Sequence, residues 1–148
     1  MDWCHYRFRS VWELPAAPSV VYAVLERPEE YPRWWPQIRE VTPLDEHTAT
    51  GRFRSVIPYD LFVTAHETRR DPEAFVLEAA LSGDLEGHAR WTLVAHRGGT
   101  RALYEQAVEV RKPLMRRLAL PGRPLFRANH ALMMRSGQRG LRRHLEVV

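Results

Sequence analysis

The histidines, His5, His47, His66, His88, His96, His130 and His144, are scattered, with no HxH or HExxH spacing. Pairs such as His66-Glu67 and Glu86-x-His88 are ordinary strand neighbours, so no metal site is expected. The single Cys4 forms no internal disulfide and no CxxC pair that could bind zinc. No serine stands in a Gly-x-Ser-x-Gly context, and the glycine pairs are turns, not a phosphate loop. General acid–base chemistry in an enclosed site is what remains: proton transfer and stabilisation of a developing oxyanion. His130 is the best catalytic candidate, with Asn129 beside it. Tyr104 and Gln106 lie on the inward face of a predicted strand, where a buried glutamine needs a polar partner or a ligand. His130 reads equally as a core histidine hydrogen-bonded to a sheet. No cofactor is expected.

These residues belong to two kinds of element. Pro124 to Leu145 is predicted as one long helix, roughly 33 Å from end to end. At about 100° per residue, Arg127, Ala131, Arg135, Gln138, Arg139 and Arg142 share its outer side. The inner stripe carries Phe126, Asn129, His130, Met133, Gly137, Gly140, Leu141 and His144. A helix clamped onto a solid core shows Leu, Ile and Val there, and an internal glycine costs about 1 kcal/mol relative to alanine. The stripe therefore predicts a cavity under the helix, with Gly137 and Gly140 leaving it room. The alternative is close backbone packing against a sheet.

Before the helix, alternation predicts strands. His5–Leu14 turns Tyr6, Phe8, Ser10, Trp12 and Leu14 inward. A short helix, Val20–Glu26, follows, then a helical turn within the proline-rich PEEYPRWWPQI, 28–38. Its adjacent Trp34 and Trp35 are expected to face different ways, one of them toward a cavity. Further strands are predicted at Arg39–Asp45, Thr48–Ile57, Leu61–Arg70, Phe75–Leu81, Leu85–His96 and Arg101–Arg111. Phe53, Trp91, Tyr104 and Gln106 face inward, and Gly98-Gly99 marks a hairpin. Leu114–Leu120 gives a helical turn or two, and PGRP, 121–124, separates it from the long helix. Short turns make the sheet an antiparallel meander, and the final helix is the only partner large enough to cover it.

At 148 residues, 45% of them hydrophobic, the chain is expected to fold as one domain over 1–148. No apolar run reaches the length of a transmembrane helix, and MDWCHYRFRS has no signal-peptide pattern, so a cytoplasmic protein is the expectation. Residues 1–110 hold 12 Lys and Arg against 17 Asp and Glu, a balance of −5. Residues 111–148 hold 10 against Glu146 alone, a balance of +9. A basic helical face could meet phosphate or an anionic membrane. No aromatic side chain is interleaved on it, which argues against nucleic acid; it reads as a solvated outer face that leaves room for transient membrane contact. Oligomeric state is not readable.

Four stretches carry a family likeness: APSVVYAVL (17–25), YPRWWPQI (31–38), LEGHARWTL with GGTRALYEQAV (85–93 and 98–108), and NHALMMRSGQRGLRRHL (129–145). With this order of elements the chain resembles the START/Bet v 1-like (SRPBCC) superfamily, and within it the polyketide cyclase/dehydrase-type group. The resemblance implies an α+β helix-grip fold: a curved antiparallel sheet of about seven strands around a long C-terminal helix, with two short helices after the first strand. It also implies a hydrophobic partner, a lipid, isoprenoid or polyketide-like molecule, held between sheet and helix. Cyclisation, aromatisation or dehydration of a polyketide there is the alternative, and an interaction module built on the basic face is a further one. The residues expected at the cavity are Phe8, Trp12, Trp35, Phe53, Trp91, Tyr104, Gln106, Asn129, His130, Met133, Gly137 and Gly140.

Overall fold

The structure, a computed structural model, describes residues 4–55, 60–117 and 119–147. β1 (His5–Leu14) leads into α1 (Pro18–Leu25) and a 3-10 helix (Pro28–Arg33). β2 (Ile38–Pro43), β3 (Thr48–Phe53), β4 (Leu61–Asp71), β5 (Val76–Gly83), β6 (Leu85–His96) and β7 (Gly99–Val110) follow, then α2 (Pro113–Arg117) and α3 (Ala119–Val147). The end of the strand predicted to reach Ile57, and most of the turn predicted after it, lie outside the described residues.

All seven strands form one antiparallel sheet in the order β1-β7-β6-β5-β4-β3-β2. The meander places each strand beside its predecessor, and β1 joins the far edge by pairing with β7. Along that seam Phe8 lies opposite Gln106, Ser10 opposite Tyr104 and Trp12 opposite Ala102. On the other side of β7, Ala89 faces Gln106 and Trp91 faces Tyr104. Register shifts at Ile38/Glu40 and Glu67/Arg69 add local bends of the kind that help a sheet curl. The β6–β7 hairpin turns on Arg97 and Gly98, at φ 50° and 79°, consecutive positive values that suit a two-residue connection. Gly99 is the first residue of β7 rather than part of the turn.

Two prolines do not delay α3 as expected. The helix is 29 residues long and begins at Ala119, so the PGRP segment lies within it. Pro121 falls in the first turn, where a backbone N–H has no helical acceptor to lose. Pro124 lies deeper and omits one bond of the ladder. Arg127, Arg135, Arg139 and Arg142 are exposed, as are Leu125 and Leu132.

The sheet and α3 do not enclose one continuous core. One cluster gathers Trp12, Trp34, Trp35, Trp91, Val21, Leu25, Leu141 and Leu145 under the C-terminal half of α3. A second gathers Cys4, Tyr6, Val108, Val110 and Phe126 near its N-terminal half. Between Phe126 and Met134 no residue of the helix is fully buried. Asn129, His130 and Met133 occupy that interval, where side chains have no solid core to enter. This is the helix-grip arrangement that the family resemblance implies.

Candidate ligand cavity

The gap between the clusters is a cavity of about 640 Å³. Phe126, Asn129, His130, Met133 and Met134 of α3 line one side. Tyr6 and Phe8 of β1, Tyr104, Gln106, Val108 and Val110 of β7, and Leu85, Ala89 and Trp91 of β6 line the adjoining wall. Small residues on β3, β4 and β5, namely Ala49, Gly51, Ala65 and Ala79, keep the opposite wall thin.

Phe8, Trp35, Phe53, Trp91, Tyr104, Gln106, Asn129, His130 and Met133 line this cavity. Trp12, Gly137 and Gly140 do not. Trp12 is only 1% exposed and packs edge-on against Trp34, Trp35 and Trp91, so it is solid core. The glycines make room for protein, not ligand. A Cβ on Gly137 would lie 2.4 Å from Trp35 Cε2 and 2.8 Å from Trp12 Cη2, and one on Gly140 would lie 1.6 Å from the carbonyl oxygen of Trp34. Both are close-approach positions, but their nearest neighbours are Trp35 and Trp34 at the end of the 3-10 helix, not the sheet that the alternative reading named.

Trp34 and Trp35 also differ from expectation. Both are buried, and their rings stack at 5.4 Å and 22°. Adjacent side chains diverge in an extended chain, but Trp34 sits at φ −127°, ψ −7° as the 3-10 helix ends, which brings the two indoles to one side. Only Trp35 borders the cavity, and its Nε1 donates to the carbonyl oxygen of Met133 at 2.9 Å.

The polar groups on the β7 and α3 walls are few and adjacent. His130 stacks on Phe8, with ring centroids 3.7 Å apart and planes 11° apart, and it lies 6.4 Å from the Tyr104 ring. Phe8 is the register partner of Gln106. The Tyr104 hydroxyl donates to Gln106 Oε1; the two share a face of β7, two residues apart. Burial pushes the His130 pKa down to about 4, so its imidazole is neutral at pH 7. Burial also raises the Tyr104 phenol above its ordinary range, keeping it protonated. A neutral imidazole has one donor and one acceptor nitrogen, so His130 can accept a proton or polarise an oxygen.

Sequence reasoning missed the charged part of the lining. Glu26, Arg27 and Glu29 border the cavity from the segment after α1, Glu67 and Arg70 from β4, and Glu78 from β5. Glu67 shares the alternation of Leu61, Val63 and Ala65, the signal that could have found it. Arg70 holds Glu67 at 2.8 Å and lies 3.8 Å from Glu26. Among the described residues no three His, Cys, Asp or Glu side chains gather as a metal site, and no helix is long and apolar enough to cross a membrane.

Residues 14–133 match the family described as polyketide cyclase/dehydrase and lipid transport, and the chain belongs to that family. A search of the curated proteins finds no significant match. Among solved structures, the fold is similar to that of a protein from Thermus thermophilus, with TM-score 0.80 and 17% identity over 96% of this chain and 98% of the other. An aromatase/cyclase from Streptomyces sp. R1128 gives TM-score 0.77 at 13% identity, over 96% and 94% of the two chains. A START superfamily protein from Mycobacterium smegmatis gives 0.75 at 17%, over 95% and 97%. At these identities the likeness shows the fold alone.

Proposed function

We propose that this member of the polyketide cyclase/dehydrase and lipid-transport family holds a hydrophobic small molecule, a lipid, isoprenoid or polyketide-like compound, between its sheet and α3. The observation that carries the reading is the interruption of the core. Ligand pockets typically enclose about 300–1,000 Å³ and are mostly apolar with a few placed polar groups, and the cavity of about 640 Å³ fits that description. Small residues keep it open. A leucine fully buried in place of an alanine adds on the order of 1–2 kcal/mol of apolar burial, a gain forgone at Ala49, Ala65, Ala79 and Ala89.

The test fills the cavity from the sheet. Ala89 lies opposite Gln106 on β6, so Ala89→Phe projects a ring into the space. The wild type should bind N-phenyl-naphthylamine, a neutral fluorescent dye, at one equivalent. Ala89→Phe should weaken binding at least about tenfold, the effect expected when occupied volume is lost, while its circular dichroism spectrum and melting stay cooperative. No saturable binding by the wild type, or equal binding by a folded Ala89→Phe, would refute the reading.

The cluster of Tyr104, Gln106 and His130 supports a second reading, cyclisation, aromatisation or dehydration of a polyketide chain in the same cavity. Neutral His130 would act as the base and the donors would stabilise the enolate oxygen. His130→Ala should then abolish turnover of a linear poly-β-ketone while lowering its affinity by no more than about tenfold, the loss of one hydrogen bond. Unchanged turnover would remove this reading.

A further inference from the structure

The cavity wall is chemically divided. Every ionised side chain in the lining comes from the connection after α1, the β2–β3 turn, or the β3–β5 part of the sheet. Among the described residues, β1, β6, β7 and α3 contribute none. Their polar atoms belong to Tyr6, Tyr104, Gln106, Asn129 and His130, all uncharged side chains. The arginines at the rim face carboxylates: Arg70 has Glu67 and Glu26, and Arg27 shares Glu30 with Arg33, at 3.6 and 3.1 Å. Arg123 and Arg127 lie over the Tyr6 ring, 4.5 and 5.6 Å from its centroid, and neither lines the cavity. Arg54 has Asp60 at 4.0 Å. A carboxylate seated against the β1, β7 and α3 walls therefore meets no cation among the side chains that line them.

Resting on the proposed cavity function, we infer that the bound molecule carries an uncharged oxygen group, a carbonyl or hydroxyl, seated against His130, Tyr104 and Gln106, and that the site excludes a carboxylate there. The Phe8 stack covers one face of the imidazole, leaving the ring edge, with both nitrogens, to form hydrogen bonds. Tyr104 spends its only proton on Gln106 Oε1, so its oxygen remains an acceptor and the Gln106 amide nitrogen remains a donor. A ligand carbonyl can accept from His130 N–H and Gln106 N–H. A ligand hydroxyl can also donate, to the free imidazole nitrogen or to the Tyr104 oxygen. A carboxylate would be desolvated beside neutral groups only, and an unpaired buried charge is strongly disfavoured.

Competition with N-phenyl-naphthylamine distinguishes these ends, using dodecane, dodecanol and dodecanoate as competitors. Dodecanol should displace the dye from the wild type. In His130→Leu, and in the more conservative Tyr104→Phe, the dodecanol affinity should fall about fivefold to tenfold, the loss of a hydrogen bond or two, while that of dodecane holds or rises. Dodecanoate should compete only as its neutral acid, so its apparent affinity should fall about tenfold per pH unit once the acid ionises. Two results overturn the inference but leave the cavity reading standing. One is folded variants that bind dodecanol like the wild type. The other is dodecanoate affinity that is flat with pH and is lost in Arg54→Ala or Arg70→Ala. A wild type that binds neither the dye nor any competitor overturns both.

Discussion

The indole of Trp35 occupies the space that a side chain at residue 137 would need: a Cβ there would lie 2.4 Å from its Cε2. The bare backbone at Gly137 lets the ring lie against α3, and the indole nitrogen reaches back one turn to the carbonyl of Met133. Trp35 thus touches both the pinned half of the helix and the cavity. Three residues further on, Gly140 accepts the backbone of Trp34 itself. The proline-rich loop and the helix are locked at these two points, and the helix spans the cavity from there back to Phe126.

Gly137→Ala should destabilise the protein despite alanine's better helix propensity, worth about 1 kcal/mol. The added methyl meets Trp35, itself wedged against Trp12 at 5.2 Å. Overpacking of this kind costs about 1–3 kcal/mol. At Gly140 the obstacle is a carbonyl oxygen, which cannot rotate away, so Gly140→Ala should cost more than Gly137→Ala. Urea midpoints of the three proteins check the order; equal or higher midpoints for the alanine variants would show that these contacts are not held in solution.

The two stacked tryptophans should respond differently to truncation. Trp35→Phe removes the hydrogen bond to Met133, whereas Trp34 Nε1 is buried with no acceptor among the described residues. Replacing Trp34 by Phe loses ring area but also removes an unsatisfied donor, which costs about 1–3 kcal/mol when left buried. Trp35→Phe is therefore expected to lower stability by about 1 kcal/mol more than Trp34→Phe. Paired thermal melts measure the difference, and a larger loss in Trp34→Phe would contradict the assignment.

The alternation of two explains how much of this could be read in advance. It put Phe8, Trp91, Tyr104 and Gln106 on inner faces, because on a sheet with one covered face each residue's side follows from its neighbours. Helical spacing placed Asn129, His130 and Met133 toward the same space. The roles of Gly137 and Gly140 were not legible, since a missing side chain looks the same opposite a void or opposite another element's backbone. What fills the gap depends on how residues 34 and 35 leave the 3-10 helix, roughly a hundred positions away. Trp12 shows the same limit from the other side: it is inward like Phe8, but only the tertiary arrangement separates core from cavity wall. The start of α3 was misplaced because Pro124 was read as a boundary, and a local preference yielded to the continuous surface that the helix covers.

His130 makes a prediction about pH. Its folded pKa, about 4, lies below the ordinary value of 6.5, so between those two values the unfolded chain binds a proton that the folded protein refuses. Stability is then fully present above about pH 6.5, and it falls as the pH drops toward 4 with a slope of up to about 1.4 kcal/mol per unit. Below about pH 4 both states are protonated and the contribution levels off. Among the described residues no charged group offsets this, burial being the one cause of the shift. Phe8 is apolar, and Tyr104, whose phenol burial holds protonated, carries no charge. His130→Gln keeps a polar side chain but cannot titrate, so urea unfolding from pH 7 to pH 4 should show a shallower decline than the wild type. Identical slopes in the two proteins would mean that the imidazole is charged or solvated in the folded state, and would remove the neutral base that the second functional reading requires.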